Sequence, residues 1–286
     1  MSAENGEPIR PVRCREDFRQ CVQLQKLVWE FDHTDLVSAA MLEHSAERGG
    51  IVLGSFDQDG RLNGFVFSFP ASLEGAIIQH SHMLAVRPRC RDQGIGNALK
   101  WGQYKKAQAL GNPLITWSFD PLEARNAHLN LNKLGVRVRR YYVNLYGKKT
   151  SSPLHSGLGT DRFLAEWHVL NQPLTSLAGR VSRNAISDVP RALDSEPRLD
   201  SLRTPLSPNL SLTSGRVAIE TPAHTQEMKK VDFQLAIGWR RATRTALKHY
   251  LEQGYSVCGL WVLTEEPIRT FYCLQQQKDK EVSYED

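Results

Sequence analysis

Val86-Arg87-Pro88-Arg89-Cys90-Arg91-Asp92-Gln93-Gly94-Ile95-Gly96-Asn97-Ala98 joins an apolar, β-branched run to a helical one through a glycine turn, and the reading of the chain turns on this junction. A strand that feeds a helix in this way aims several backbone N–H groups and the positive end of the helix dipole at one point, which suits a phosphate. The turn from Arg91 to Gly96 therefore predicts a phosphorylated cofactor. Two nucleotide motifs with similar glycines fail on spacing. A dinucleotide fingerprint needs a third glycine three residues after Gly96, where Leu99 stands; a P-loop needs Gly-Lys-Ser/Thr, and Gly96 is followed by Asn97-Ala98. The bare triplet also suits an ordinary tight turn, because glycine is the default residue wherever φ must be positive.

The surroundings extend the pattern. Ile95, Leu99 and Gly102 share a helical face, Gly111-Asn112-Pro113 turns the chain, and Leu114 to Phe119 reads as a strand. Asn126-Ala127-His128 follows on a second helix that ends at Lys133-Leu134-Gly135, with Gly135 as its C-cap before a strand around Val136 to Tyr146. This order of strand, glycine turn, helix, strand, helix, Leu-Gly and strand resembles the coenzyme-A-binding core of the GNAT superfamily of acyltransferases. The resemblance covers Ile9 to Val169, with its specific motifs between Ser81 and Gly147. It implies an α/β (α+β) fold with a mixed central sheet flanked by helices.

The resemblance also implies roles. Arg91, Asp92, Gln93, Gly94, Ile95 and Gly96 would hold the pyrophosphate of acetyl-CoA or succinyl-CoA. Backbone groups of Leu84, Ala85 and Val86 would hold the pantetheine arm, and Asn126 would contact the cofactor, although an asparagine opening a helix is also an ordinary N-cap. One position departs from the family. Many GNAT enzymes carry a tyrosine two residues before the Lys of the Lys-Leu-Gly element, where it protonates the departing thiolate; Leu131 stands there. Either a nearby tyrosine (Tyr141, Tyr142 or Tyr146) takes over, or the thiolate leaves unaided, at modest cost for a thiol of pKa about 8.5.

Acyl transfer to an amine needs a neutral amine, hence a base that is unprotonated near neutrality. His80 and His82 precede the strand residues assigned to the thioester, and strand alternation puts both on one side. His82, nearer Leu84, is the expected catalytic base; a histidine bonded within the core or facing solvent is the plainer alternative. Asp120 and Glu123 are weaker candidates. Thr160-Asp161-Arg162 closes a loop rich in Ser, Gly and Pro, and an Asp beside an Arg could hold the ammonium and carboxylate of an amino-acid substrate; an exposed ion pair of little energetic weight is the other reading. Arg240 and Arg244, one helical turn apart, suit an acidic acyl group or acceptor less well than a solvated helix face. Together with Ser81-His82-Met83-Leu84, Glu166-Trp167 and Trp239-Arg240-x-x-Thr243-Arg244, these motifs resemble a branch of longer bacterial GNAT proteins that includes amino-acid N-succinyltransferases.

Length and charge bound the rest. A chain of 286 residues exceeds one typical domain of about 100–200 residues. The expected division is 1–170 for the acyl-CoA-binding domain, 171–214 for a linker or surface excursion low in hydrophobic periodicity, and 215–286 for a C-terminal strand-helix-hairpin extension packed on the core. A net charge of +5 permits an anionic partner. Arg137, Arg139 and Arg140 alternate with apolar residues at strand period, so a solvated strand face accounts for them and nucleic acid is not an expected partner. Five cysteines without a CxxC pair point to reduced structural thiols and no metal site. No signal or membrane-spanning run is visible, which places the chain in the cytoplasm without a membrane partner. The expected partners are acyl-CoA and a small-molecule amine, with a homodimer among the allowed assemblies. The expected function is N-acyl transfer by direct attack on the thioester; a non-catalytic acyl-CoA-binding sensor is the alternative.

Overall fold

Cys14 starts the first helix. Strand β1 (Ile9–Pro11) leads into α1 (Arg15–Trp29), whose N-cap sulfur accepts a hydrogen bond from Asp17 N, and Phe18, Cys21, Leu24 and Gln25 recur at helical spacing on its buried side. Ser38 does the same for α2 (Ala39–Glu47), its hydroxyl accepting from Met41 N at 3.2 Å; the helix thus begins two residues later than the Val37 expected from the sequence. The hairpin of β2 (Ile51–Phe56) and β3 (Leu62–Leu73) closes over Asp57, whose carboxylate accepts from Asp59 N and Arg61 N. A second tight turn at Glu74 and Gly75, both at positive φ, leads into β4 (Ala76–Val86), followed by α3 (Ile95–Ala109) and β5 (Leu114–Phe119). The computed structural model describes residues 9–30, 33–147, 157–170, 186, 188–263 and 268–276.

These residues form two units. The first takes 9–118 together with 157 and 166–170. Its sheet runs β1-β2-β3-β4-β5, antiparallel throughout except for the parallel β4–β5 pair. Phe65, Phe67 and Ala85 point to one face, where Phe18, Cys21, Leu24 and Leu42 of α1 and α2 complete the core. The alternate residues face α3. At Gly64 a Cβ would lie 2.9 Å from Ala85 O and 3.1 Å from both Ile95 Cγ2 and Leu99 Cδ1, so that glycine lets α3 approach the sheet.

The second unit takes 119–147, 158–165 and the described residues from 186 onward. Helix α4 (Ala124–Ala127) continues as a π-helical turn over His128–Lys133, with Leu134 N donating to Leu129 O, before β6 (Arg137–Tyr142). Strand β7 (Arg162–His168) contributes its first half here and its second half to the other unit. Short strands β8 (Arg191–Leu193), β9 (Ser195–Pro197) and β10 (Arg203–Pro205) precede β11 (Arg216–Thr221), α5 (Thr225–Val231), α6 (Phe233–Glu252), β12 (Tyr255–Leu263) and β13 (Arg269–Gln276). Its sheet order is β6-β12-β13-β11-β8.

The strand, helix and hairpin expected after residue 215 are all present, but the units divide at 118/119 and not at 170/171. The reason is long-range pairing: Val138 of β6 registers with Val257 of β12, and the Asn132 amide both donates to Leu260 O and accepts from Leu260 N. The expected excursion 171–214 carries β8 to β10 where it is described, and the turn expected at 264–267 lies outside the described residues. Cys21, Cys258 and Cys273 are buried free thiols.

Replacing Gly64 with Val should lower stability by about 1–3 kcal/mol, the usual cost of overpacking, read as a reduced urea midpoint. An unchanged midpoint would contradict the close approach of α3 to β3.

Candidate functional site

In the first unit, β4 and β5 pair over only two positions, Gln79 with Ile115 and His80 with Thr116. Beyond them the strands part. From Ser81 to Val86, β4 keeps its ladder to β3 on one side and, among the described residues, pairs with no strand on the other. The register to β3 slips at His82: Ser68 pairs with Ser81 and Phe67 with Met83, leaving His82 as the extra residue of a bulge. Leu84 and Val86 are half-buried, while Ala85 is buried. Unpaired N–H and C=O groups along such an edge are ready partners for an extended ligand.

The glycine turn opens beside that edge. Arg91, Asp92, Gln93 and Gly94 are exposed, whereas Ile95 is buried and anchors the helix. Asp92 and Gly94 both sit at positive φ, 65° and 84°. The first intrahelical bond of α3 runs from Ala98 N to Gly94 O, so the N–H groups of Ile95, Gly96 and Asn97 lie ahead of the helical ladder. Packing does not require the glycines: a Cβ on Gly94 would meet nothing within 4 Å, and one on Gly96 would only touch Val86 Cγ2 at 3.8 Å and Leu84 Cδ2 at 3.9 Å. The glycines leave room beside the first amides of the helix, a setting that could hold a phosphate group. The Arg91 side chain bonds Val86 O and the Gln93 amide bonds Arg89 O, which ties the turn to the end of β4.

The two histidines share a side of β4. His80 Nδ1 lies 3.0 Å from Thr116 Oγ1, at the last paired position before the strands part. The His82 ring packs against Phe67 and Phe69 at 6.0 and 5.9 Å while its outer side is exposed. Partial burial pushes the pKa of both rings down, and in His80 the neighbouring His82 and Lys100 add to the effect. Both are therefore unprotonated near neutrality. Asp120 is a poor base: burial alone would raise its pKa, but the Arg240 and Arg162 guanidiniums outweigh this and hold it low. Glu123, raised by burial, accepts from Gln226.

Lys100 was not singled out in the sequence, and it is buried. Its Nζ donates to Ser81 Oγ at 3.0 Å and Gln103 Oε1 at 2.7 Å, and lies 3.5 Å from the ring centroid of Trp117. The available signal was a lysine and a glutamine within the stripe Ile95, Leu99, Gln103, Tyr104 and Ala107 that α3 turns inward.

In the second unit, Asp161 and Arg162 do not form an open amino-acid clamp. Asp161 is fully buried, and its carboxylate accepts from Arg244 Nε and Nη2 at 2.7 and 2.9 Å, from Tyr141 Oη at 2.5 Å and from Asn144 N. Arg162 is buried as well and turns back to Asp161 O, 3.6 Å from Asp120. Nor is Arg240 on a solvated face: it is 4 % exposed and bonded to Asp120 at 2.7 Å. The Tyr141 hydroxyl is spent on Asp161, and burial together with that carboxylate pushes its pKa up. Leu131 is a core residue of the π-helical turn. Asn126 is exposed in the third position of α4 and does not cap it; Glu123 is the N-cap. Among the described residues no cluster of His, Cys, Asp or Glu is arranged to hold a metal, and no helix is long and apolar enough to cross a membrane.

No protein-family model and no curated protein matches the sequence. Among solved structures, the chain is similar to an acetyltransferase of the GNAT family from Streptococcus pneumoniae, with 18% identity over 57% of this chain and 99% of that one and a TM-score of 0.46. It is similar to the ribosomal-protein-S18-alanine N-acetyltransferase from Escherichia coli, at 15% identity over 57% and 93% of the two chains and a TM-score of 0.44. An aminoglycoside 6'-N-acetyltransferase complexed with coenzyme A aligns at 18% identity over 58% and 99%, with a TM-score of 0.44.

Breaking the buried pair with Arg240→Met should cost about 3–5 kcal/mol, since it removes the hydrogen-bonded guanidinium from the buried Asp120 carboxylate and leaves it the more distant Arg162 at 3.6 Å. Because the folded pKa of Asp120 is depressed, its contribution is present above the ordinary carboxylate value and is lost as pH falls through the folded one. Chemical denaturation from pH 7 into the acid range should show the wild-type advantage over Arg240→Met shrinking; a constant difference would refute the assignment.

Proposed function

We propose that this protein is a coenzyme-A-dependent N-acyltransferase that moves a short acyl group, acetyl or succinyl, to the amine of a small molecule. The carrying observation is the conjunction of two features in the first unit: a glycine turn whose missing side chains leave open space over helix-start amides, and the unpaired edge of β4 beside it. Backbone N–H groups from Ile95 to Asn97 would hold the diphosphate, with the helix dipole adding attraction and Arg91 nearby. The edge from Leu84 to Val86 would pair with the amide-bearing arm as a strand would. When bound, the acyl carrier supplies a thioester activated toward amines.

The chain's own contribution is orientation and proton handling. His82 projects at the bulge, partly shielded by Phe67 and Phe69, and its lowered pKa keeps it ready to accept the proton that an ammonium substrate must lose before it attacks. Proton donation to the leaving thiolate is not assigned to Tyr141, whose hydroxyl is held by Asp161; departure unaided fits the ordinary acidity of a thiol. The same observation, with Leu131 buried where a proton donor was expected, supports a second reading, an acyl-CoA-binding module without turnover. Thiol release that depends on an added amine separates the two.

Calorimetry with acetyl-CoA and succinyl-CoA tests the reading, and absence of heat for both at millimolar concentration would defeat it. Gly96→Glu should leave the fold intact, or stabilise it by about 0.3–1 kcal/mol, because a carboxylate suits a helix start. The same change should weaken coenzyme A by about tenfold or more through repulsion of the diphosphate; equal affinity would remove the turn from the site. His82→Ala should lower kcat about 10²–10⁴-fold. Since the pKa of His82 is depressed, wild-type activity should fall on the acid side below the ordinary histidine value, and this acid limb should vanish in the variant.

A further inference from the structure

If the register of β4 and β5 continued past His80 and Thr116, the next pair would be Ser81 with Trp117. Those are the two residues that Lys100 touches. Its Nζ is 3.0 Å from Ser81 Oγ and 3.5 Å from the Trp117 ring centroid, so one amine, reaching in from α3, touches both side chains just where the pairing stops. Paired strands lie about 4.7–4.9 Å apart with neighbouring side chains in contact, and an amine touching both of these side chains competes with that direct contact. Gln103 Oε1, 2.7 Å away, holds Nζ in place.

Burial makes the arrangement costly, which argues that it does more than fill space. Lys100 is 2 % exposed, and desolvation pushes its pKa well down. The cluster is short of acceptors: Gln103 Nε2 and Trp167 Nε1 are buried without a hydrogen-bond partner. An apolar side chain would pack this face of α3 at lower cost.

We infer that Lys100 is a positioning residue that keeps β4 and β5 apart beyond His80 and Thr116, and so leaves the edge from Ser81 to Val86 open to a ligand. Its use by an acyl carrier rests on the function proposed above. The role of Lys100 in the fork stands on the geometry alone.

Lys100→Met is the direct test, because methionine fills the channel as far as the ε-carbon but lacks the atom between Ser81 and Trp117. In the variant the strands should zip further, and outer-edge amides between His82 and Val86 should exchange with solvent more slowly than in the wild type. If only about a tenth of the variant population keeps the fork open, coenzyme A should bind about tenfold more weakly. Thermal stability should meanwhile rise at neutral pH. A lysine whose folded pKa is depressed disfavours folding wherever the unfolded chain holds the proton, so this gain should disappear as pH climbs toward the ordinary lysine value. Stability gained while affinity is lost is a combination that a merely structural lysine would not produce. Ser81→Ala, a milder change on the same contact, should shift both readouts in part. Unchanged edge exchange in Lys100→Met overturns the inference. Slower exchange without coenzyme A binding by either protein upholds the role of Lys100 and defeats the acyl-carrier reading instead.

Discussion

Two parallel strands that pair for two residues and then diverge impose the constraint on which the first unit depends. A β-strand in the middle of a sheet normally has both edges satisfied, and leaving one edge open costs free energy unless water or a ligand completes it. Here β4 is held on one side by the long β3 ladder, so it cannot fray, while β5 is drawn away from its other side. The result is a rigid strand with an open edge. Helix α3 begins at the far end of that edge, and its burial through Ile95 and Leu99 against Gly64 fixes where its first amides point. Edge and helix start are thus set by one body of packing.

The second unit is organised by buried charge. Asp120 with Arg240 and Arg162, and Asp161 with Arg244 and Tyr141, tie α6 to segments more than 80 residues earlier. Buried ion pairs of this kind add little net stability over well-packed apolar residues, because desolvation cancels much of the attraction, but each is expensive to break. Their effect is to specify one arrangement of α6 against β6 and the loop before β7. That accounts for residues which, taken singly, look like a substrate clamp: the Asp161 carboxylate already accepts from Arg244, Tyr141 and Asn144 N.

How much of this was legible depended on range. The glycine turn, the hairpin over Asp57 and the α6 periodicity were readable because each is a property of neighbours, set by a φ requirement, a side chain bonding its own backbone, or a repeat of three and four residues. The bulge at His82 was invisible, since a bulge is defined by the partner strand and the sequence alternates through it without interruption. Arg240 was read as solvent-facing from the charge spacing of its helix; its partner, Asp120, lies 120 residues away. Lys100 escaped for the same reason, an amine buried by a helix position that carries polar residues on an otherwise apolar stripe.

By itself the sequence determined the local grammar of the longer elements: the strands and helices with a sustained apolar period, where glycine must turn the chain, and that a helix start follows a strand at Arg91 to Gly96; the short strands within 191–205 and the helix Thr225–Val231 carry no such period. Only the tertiary structure decided that β4 has an open edge, that Asp161 is closed to substrate, and that the units divide after Ser118. Those outcomes follow from which distant side chains share a desolvated space, and the free energy of a buried charge or an unpaired edge is a property of everything around it.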